Sequence, residues 1–222
     1  MPKAETKAAR RLRLRDEIQA ILAPLGYNLD DIIPPKKGLA QSNGNDVVMT
    51  DDDLALAVVR HFQPFGTILD PCAGEGAFGR AYRQYNAENG EIQRLTRIDE
   101  MEITAGTDFL AIPPDDPRRW NWIITNPPWS LLRPFTVQAM RVSDNIVWLD
   151  KMNAFGFKAR IWLLEEAGFG IKEYALFEQP PTWPGMGLQL AAIHLAKTRP
   201  GEGLGAPKIS RLNWKPKPKS KA

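Results

Sequence analysis

Two short stretches bring together residue types that can do chemistry. The first is DPCAGEGAFG, from Asp70 to Gly79. Gly74 and Gly76 permit a sharp turn and let a ligand approach the backbone where a Cβ would collide. A glycine-rich turn after a strand commonly binds nucleotides. This one has neither the G-x-G-x-x-G spacing nor the Lys-Ser/Thr ending of a phosphate loop, so its ligand need not carry phosphates. Asp70, at the strand's end, suits an ammonium group such as that of a methionine moiety. A purely structural turn would use the same glycine pair, and both readings stand at this point. The second stretch is ITNPPWS, Ile124 to Ser130. Pro127 and Pro128 fix a rigid loop directly after an apolar run, at the sheet edge where open α/β sheets bind ligands. Asn126 offers an amide oxygen there and Trp129 a stacking surface, the two features that a planar base with an exocyclic amine requires. The alternative is a proline loop packed on a core tryptophan.

The surrounding pattern supplies elements to hold these stretches. Thr67–Asp70 (TILD) reads as a first parallel strand, with a helix opening within Gly79–Tyr85. Leu95–Ile103 is a second strand candidate, and Trp122–Thr125 (WIIT) is a buried strand that runs into NPPW. Asn145–Leu149 is another, followed by a helix near Ala159–Ala167 that Gly168 and Gly170 end. Ile171–Phe177 and Leu188–Ala196 are late strands with only the loop EQPPTWPGMG between them. The alternation predicts an α/β fold: a doubly wound, mostly parallel sheet with an antiparallel edge strand. Residues 4–25 read as an amphipathic helix crowded with Arg10, Arg11, Arg13 and Arg15. The domain reading is a basic N-terminal helix and connector over 1–44, a catalytic domain over 45–198 and a basic, disordered tail over 199–222.

Charge and composition narrow the partners. The net charge of +3 conceals an uneven distribution: residues 1–37 carry +3, residues 197–222 carry +7, and the middle is left with −7. Basic ends on an acidic body suit a polyanion, although a solubilising tail would look the same. No apolar stretch approaches the roughly 20 residues that span a bilayer, so no membrane partner is expected. The single cysteine, Cys72, fits a reducing, cytoplasmic setting. No secretory apolar core follows the basic N-terminus. His61 and His194 read as structural, Cys72 as a packing residue, and Asp51–Asp53 as a helix start rather than a metal cluster. Lys151 and Asn153 follow a strand end and are candidates to approach a substrate.

Taken together, DPxxGxG followed at this separation by NPPW resembles the DNA amino-methyltransferases, S-adenosylmethionine-dependent enzymes that methylate adenine N6 or cytosine N4. Within them the chain is similar to the small phage-type adenine enzymes. The resemblance covers roughly Asn45 to Lys197 and includes VMTDDDLA before the glycine turn, MEITAGTDFL, LDKMNAFGFKARIWLLEEAGFG and TWPGMGLQLAAIHL. It implies a Rossmann-like methyltransferase sheet with S-adenosylmethionine as cofactor and no metal. By this resemblance Thr50 holds the cofactor's methionine carboxylate and Asp70 its ammonium, with Pro71, Gly74 and Gly76 making the turn. Glu102 accepts from the ribose hydroxyls, with Glu100 as the alternative. Asp108 takes the adenine amino group and Phe109 packs against the ring. The family usually has Pro after the Thr of the first segment, where this chain has Asp51.

The resemblance implies catalysis at Asn126, Pro127, Pro128 and Trp129. Asn126 and the Pro127 carbonyl would accept hydrogen bonds from both amino hydrogens, localising the nitrogen lone pair and strengthening as positive charge develops. The base would have to be flipped out of duplex DNA and stacked, with Trp129 as its platform. Loops near 131–144 and 178–187 are expected to read the target. The competing readings are methylation of RNA adenine, cytosine N4 or a protein glutamine amide, and a catalytically silent nucleic-acid-binding protein of the same fold.

Overall fold

A computed structural model describes residues 48–89, 97–183, 187–198 and 205–216, together with Gln19. The expected N-terminal helix, apart from Gln19, and the connector lie outside the described residues. The chain divides into two units, Met1–Gln41 and Ser42–Ala222. The second holds both motifs. Its elements are α1 (Asp52–Phe62), β1 (Thr67–Asp70), α2 (Ala77–Asn89), β2 (Arg97–Glu100), β3 (Trp122–Thr125), α3 (Leu132–Val142), β4 (Asn145–Lys151), α4 (Lys158–Glu166), β5 (Phe169–Phe177), β6 (Leu190–Lys197) and β7 (Lys208–Arg211).

The central strands are apolar except towards their ends because both of their faces are covered. Successive residues alternate between two cores. Ile68, Ile124, Val147 and Leu149 pack with Leu54 and Val58 of α1 and Phe78 and Tyr82 of α2. Leu69, Ile123, Ile146 and Trp148 pack with Leu132 and Phe135 of α3 and Leu164 of α4. The result is three layers, with helices on both sides of one sheet.

The seven strands among the described residues lie in the order β2-β1-β3-β4-β6-β5-β7. β1 pairs in parallel with β2 and β3, and β3 with β4. β6 is antiparallel to both β4 and β5, and β7 is parallel to β5. The expected doubly wound, mostly parallel sheet is present, but among the described residues the reversed strand, β6, lies inside the sheet and not at the expected edge, because β5 and β7 pair beyond it. The strand order turns back between β1 and β3: α2 leads from β1 to one side, and β3 pairs on the other. Both motifs follow these two strands, at the switch point where open α/β sheets take ligands.

Two stretches differ from the sequence expectation. The segment 131–144, expected as a loop, contains α3, in which Leu132, Phe135, Ala139 and Val142 are buried. Pro134 lies in its first turn, where a missing N–H costs no intrahelical bond. The basic tail is also not wholly disordered. Lys208–Arg211 form β7, with Lys208 Nζ 3.1 Å from Glu173 Oε1 on β5 and the Ser210 hydroxyl donating to the same oxygen. Leu212 beyond it is buried, and Trp214 meets Phe177 edge-on at 6.2 Å. No helix among the described residues is long and apolar enough to cross a membrane.

Leu212 gives a direct test of this attachment. Leu212→Ala should lower the unfolding free energy by about 2 to 5 kcal/mol, as for other buried Leu→Ala changes. Denaturant titration checks it, and an unchanged midpoint would mean that the segment is a solvated tail.

Candidate active site

The glycine turn is built by backbone bonds from both flanking strands. Met101 N donates to Asp70 O at 2.8 Å and Ala73 N to Met101 O at 3.0 Å, so the ends of β1 and β2 close over the turn. Gly74 and Gly76 have φ of +52° and +78°, which side chains with a Cβ rarely adopt. Arg80, in the first turn of α2, donates to Glu75 O and pairs with Asp52 of α1 at 2.7 Å. This ties the start of α1 to the turn.

Asp70 is fully buried at the end of β1. Its Oδ1 accepts from Cys72 N at 3.2 Å, and Oδ2 has no hydrogen-bond partner among the described residues. Burial pushes its carboxyl from 3.8 up to about 7; Thr125 and the Cys72 amide pull it down, and Glu100 and Glu102 add to the rise. An acid in that state is best satisfied by a cation. Cys72 beside it is pushed upward by burial and by Asp70, which makes it a packing thiol rather than a nucleophile.

The other acids frame the turn. Glu102 Oε2 accepts from Gly74 N at 2.9 Å, and its Oε1 accepts from Thr104 N at 3.1 Å. Against the cost of burial, these amides hold its carboxyl below the ordinary carboxylate range. Glu100, the last residue of β2, lies on the other side, with Oε1 3.2 Å from where a Cβ on Gly76 would stand and 2.2 Å from one on Gly79. Both candidate ribose ligands therefore border the turn. Asp108 caps the short turn Phe109–Ala111, its Oδ1 accepting from Leu110 N at 2.8 Å. Phe109 is only 1% exposed and its ring packs on Phe135 at 5.4 Å, so it supports the site from within the core.

NPPW leaves β3 with Pro127 buried and Pro128 capping the turn Trp129–Leu131, through Leu131 N donating to Pro128 O at 2.8 Å. Asn126 Nδ2 donates to Val48 O at 2.9 Å, which leaves Oδ1 without a donor among the described residues. Trp129 Nε1 donates to Leu149 O at 3.1 Å, and Lys151 Nζ lies 4.8 Å from the centre of its ring. Thus Trp129 is a fixed wall, and Lys151 occupies part of the platform a stacked base would use.

The contacts that sequence reasoning missed form a strap. Val48 takes the Asn126 amide, and Met49 O accepts from Trp183 Nε1 at 2.8 Å. Met49 Sδ stands 3.2 Å from where a Cβ on Gly74 would be. Trp183 meets Trp129 edge-on at 5.9 Å. The strap carries Thr50, half-buried just before the N-cap Asp51 of α1, to the same side of the sheet as both motifs. Val48 and Met49 contribute only their backbone carbonyls, to side-chain donors far along the chain, which leaves no local signature. Of the two histidines, His194 stacks on Trp122 at 4.9 Å with burial lowering it to about 4, and His61 lies 2.8 Å from Glu173.

No protein-family model matches the chain, and no curated protein matches its sequence. Solved structures do match. One from Listeria monocytogenes, assigned to the class I S-adenosylmethionine-dependent methyltransferases, superposes with a TM-score of 0.56 at 13% identity, over 90% of this chain and 73% of that one. The chain has a class I methyltransferase fold. The M protein of the type I restriction enzyme EcoKI also matches this methyltransferase fold, with a TM-score of 0.51 at 10% identity, over 89% of this chain and 58% of that one.

The buried acid sets a pH dependence. Folded Asp70 binds its proton more tightly than it does unfolded, so unfolding releases a proton between about pH 4 and 7, and stability falls as pH rises through that window. The loss is on the order of 4 kcal/mol for a shift of this size. Asp70→Asn should flatten that decline in urea-unfolding free energies. Parallel profiles for the two proteins would show that the acid ionises normally.

Proposed function

We propose that the chain transfers a methyl group from S-adenosylmethionine to the N6 amino group of a flipped adenine in DNA. The observation that carries this reading is Asn126: its amide nitrogen is held by Val48, and its oxygen is left as an acceptor at the switch point, beside the glycine turn. When bound, S-adenosylmethionine supplies an electrophilic sulfonium methyl group. The residues present fit it. Asp70 Oδ2 is an orphaned buried acceptor for an ammonium, and Gly74 holds a φ of +52° that side chains rarely adopt, with Met49 Sδ 3.2 Å from where a Cβ would stand. Glu102 or Glu100 would hold the ribose hydroxyls, and Asp108 the adenine amino group. Thr50 and the first turn of α1 would take the carboxylate.

On the substrate side, an exocyclic amine is a poor nucleophile because its lone pair is delocalised into the ring. Asn126 Oδ1 and the carbonyl of Pro127 accept its two hydrogens, which favours a tetrahedral nitrogen with a localised pair. These bonds strengthen as charge builds on nitrogen, so they lower the barrier rather than merely tightening binding. Pro128 and Trp129 fix the position of those acceptors, and Trp129 forms the wall of the base pocket. A nucleic acid is favoured over a protein substrate by the basic ends of the chain, +3 over residues 1–37 and +7 over 197–222.

Two variants separate the halves of the site. Asn126→Ala should cut methyl transfer to DNA by about 10²-fold, as for loss of one transition-state hydrogen bond, with S-adenosylhomocysteine binding by calorimetry little changed. Transfer above a tenth of wild type would defeat the role of Asn126. Gly74→Val, a branched side chain at φ +52°, should instead abolish cofactor binding in a folded protein. Unchanged affinity there would make the turn merely structural.

A further inference from the structure

The two sides of the site differ in charge. Around the glycine turn stand Asp70, Glu75, Glu100, Glu102 and Asp108, with Asp51 to Asp53 at the head of α1. Beyond Asn126 the sign reverses. From Asn126 to Ser143, and again from Lys151 to Leu164, the chain contains no Asp or Glu. These two stretches leave neighbouring parallel strands, β3 and β4, at the same end of the sheet.

Four cations lie in these two stretches, the basic rim of this end of the sheet. Lys151 projects over Trp129, with Nζ 4.8 Å from the ring. Arg133 lies in the first turn of α3, immediately after NPPW. Arg160, in the first turn of α4, donates to Ala154 O and places its guanidinium 5.6 Å from the Phe157 ring. Lys158 opens α4 and is exposed. Burial, and next the proximity of Arg160, lower the Arg133 guanidinium from its ordinary value, so two like charges are held near one another. Phe157 on this rim is 61% exposed. Such a surface, cationic with an apolar aromatic at its crest, is unfavourable for an isolated molecule and complementary to a polyphosphate with stacked bases.

We propose that Arg133, Lys151, Lys158 and Arg160 grip the phosphates that flank the target base in duplex DNA. This rests on the reading of the site as a DNA methyltransferase and names the surface that reading left open. The acidic half receives the cationic cofactor, and the basic half receives the polyanion. The backbone crosses the carboxyl ends of β3 and β4, so a base rotated out of it arrives at Asn126 and Trp129.

Salt-dependent binding of the full-length chain to a short fluorescent duplex tests the proposal. Each lost phosphate contact should reduce the log–log salt slope by about 0.9. Lys158→Gln is thus expected to lose about 0.9, and Lys158→Gln with Arg160→Gln about 1.8. Arg83→Gln, on the solvent side of α2, should leave the slope at the wild-type value. Because Arg160 also bonds Ala154 O, the exposed Lys158 variant carries the test if the double variant does not fold; calorimetry with S-adenosylhomocysteine reports that. A wild-type slope in both folded variants would overturn the rim while leaving methyl transfer to DNA by the wild type standing. Absence of methyl transfer by the wild type, with the slope still reduced in the variants, would instead overturn the catalytic reading alone. Tighter binding to an RNA hairpin than to the duplex would overturn the choice of DNA.

Discussion

A strand covered on both faces cannot carry polar side chains along its length without stranding them from water. That constraint governs β1, β3 and β4, whose residues alternate between two apolar cores. Polar groups are displaced to where the strands end, and there the backbone must also turn. Asp70 is the last residue of β1, and Asn126 directly follows the last residue of β3. The pairing of Ile68 with Trp122 and Leu69 with Ile123 keeps these two ends adjacent. Chemistry at the switch point is thus a by-product of how the sheet is buried.

Adjacency alone would leave two loops free to drift. The strap Val48–Met49 removes that freedom with few bonds: one from Asn126, one from Trp183, and the approach of Met49 to Gly74. Arg80 and Asp52 fasten the same region from α2 to α1. Because Asn126 spends its nitrogen on the strap, its oxygen is oriented without a further partner among the described residues. Positioning and acceptor strength come from a single side chain.

How much of this was legible in the sequence depends on whether the deciding forces were local. TILD and WIIT were readable to the residue, because a short apolar run ended by Asp-Pro or Asn-Pro has few other uses. α3 was not, since Pro134 so near its start reads as loop punctuation when the free N–H positions of a first turn are unknown. β7 was hidden by composition: Lys, Pro and Gly around KISR outweigh a four-residue strand whose partner, β5, lies far upstream. The strap lies within VMTDDDLA, which the family pattern marks, but its bonds were invisible for a stronger reason. Its acceptors are main-chain carbonyls, and every residue has one. Phe109 follows the family pattern, yet its burial against Phe135 is a matter of packing that no motif states.

The interior position of β6 bears on the order in which the molecule can be assembled. β5 touches only β6 and β7 in the sheet, and both come later in the chain. A polypeptide made from its N-terminus therefore completes β1 to β4 first, while β5 waits with no strand to join. Until Leu190–Lys197 has been synthesised, β4 presents an open edge, and an open edge invites pairing with another chain. The segment that closes the sheet is thus also the part whose delay leaves the nascent molecule most exposed to aggregation.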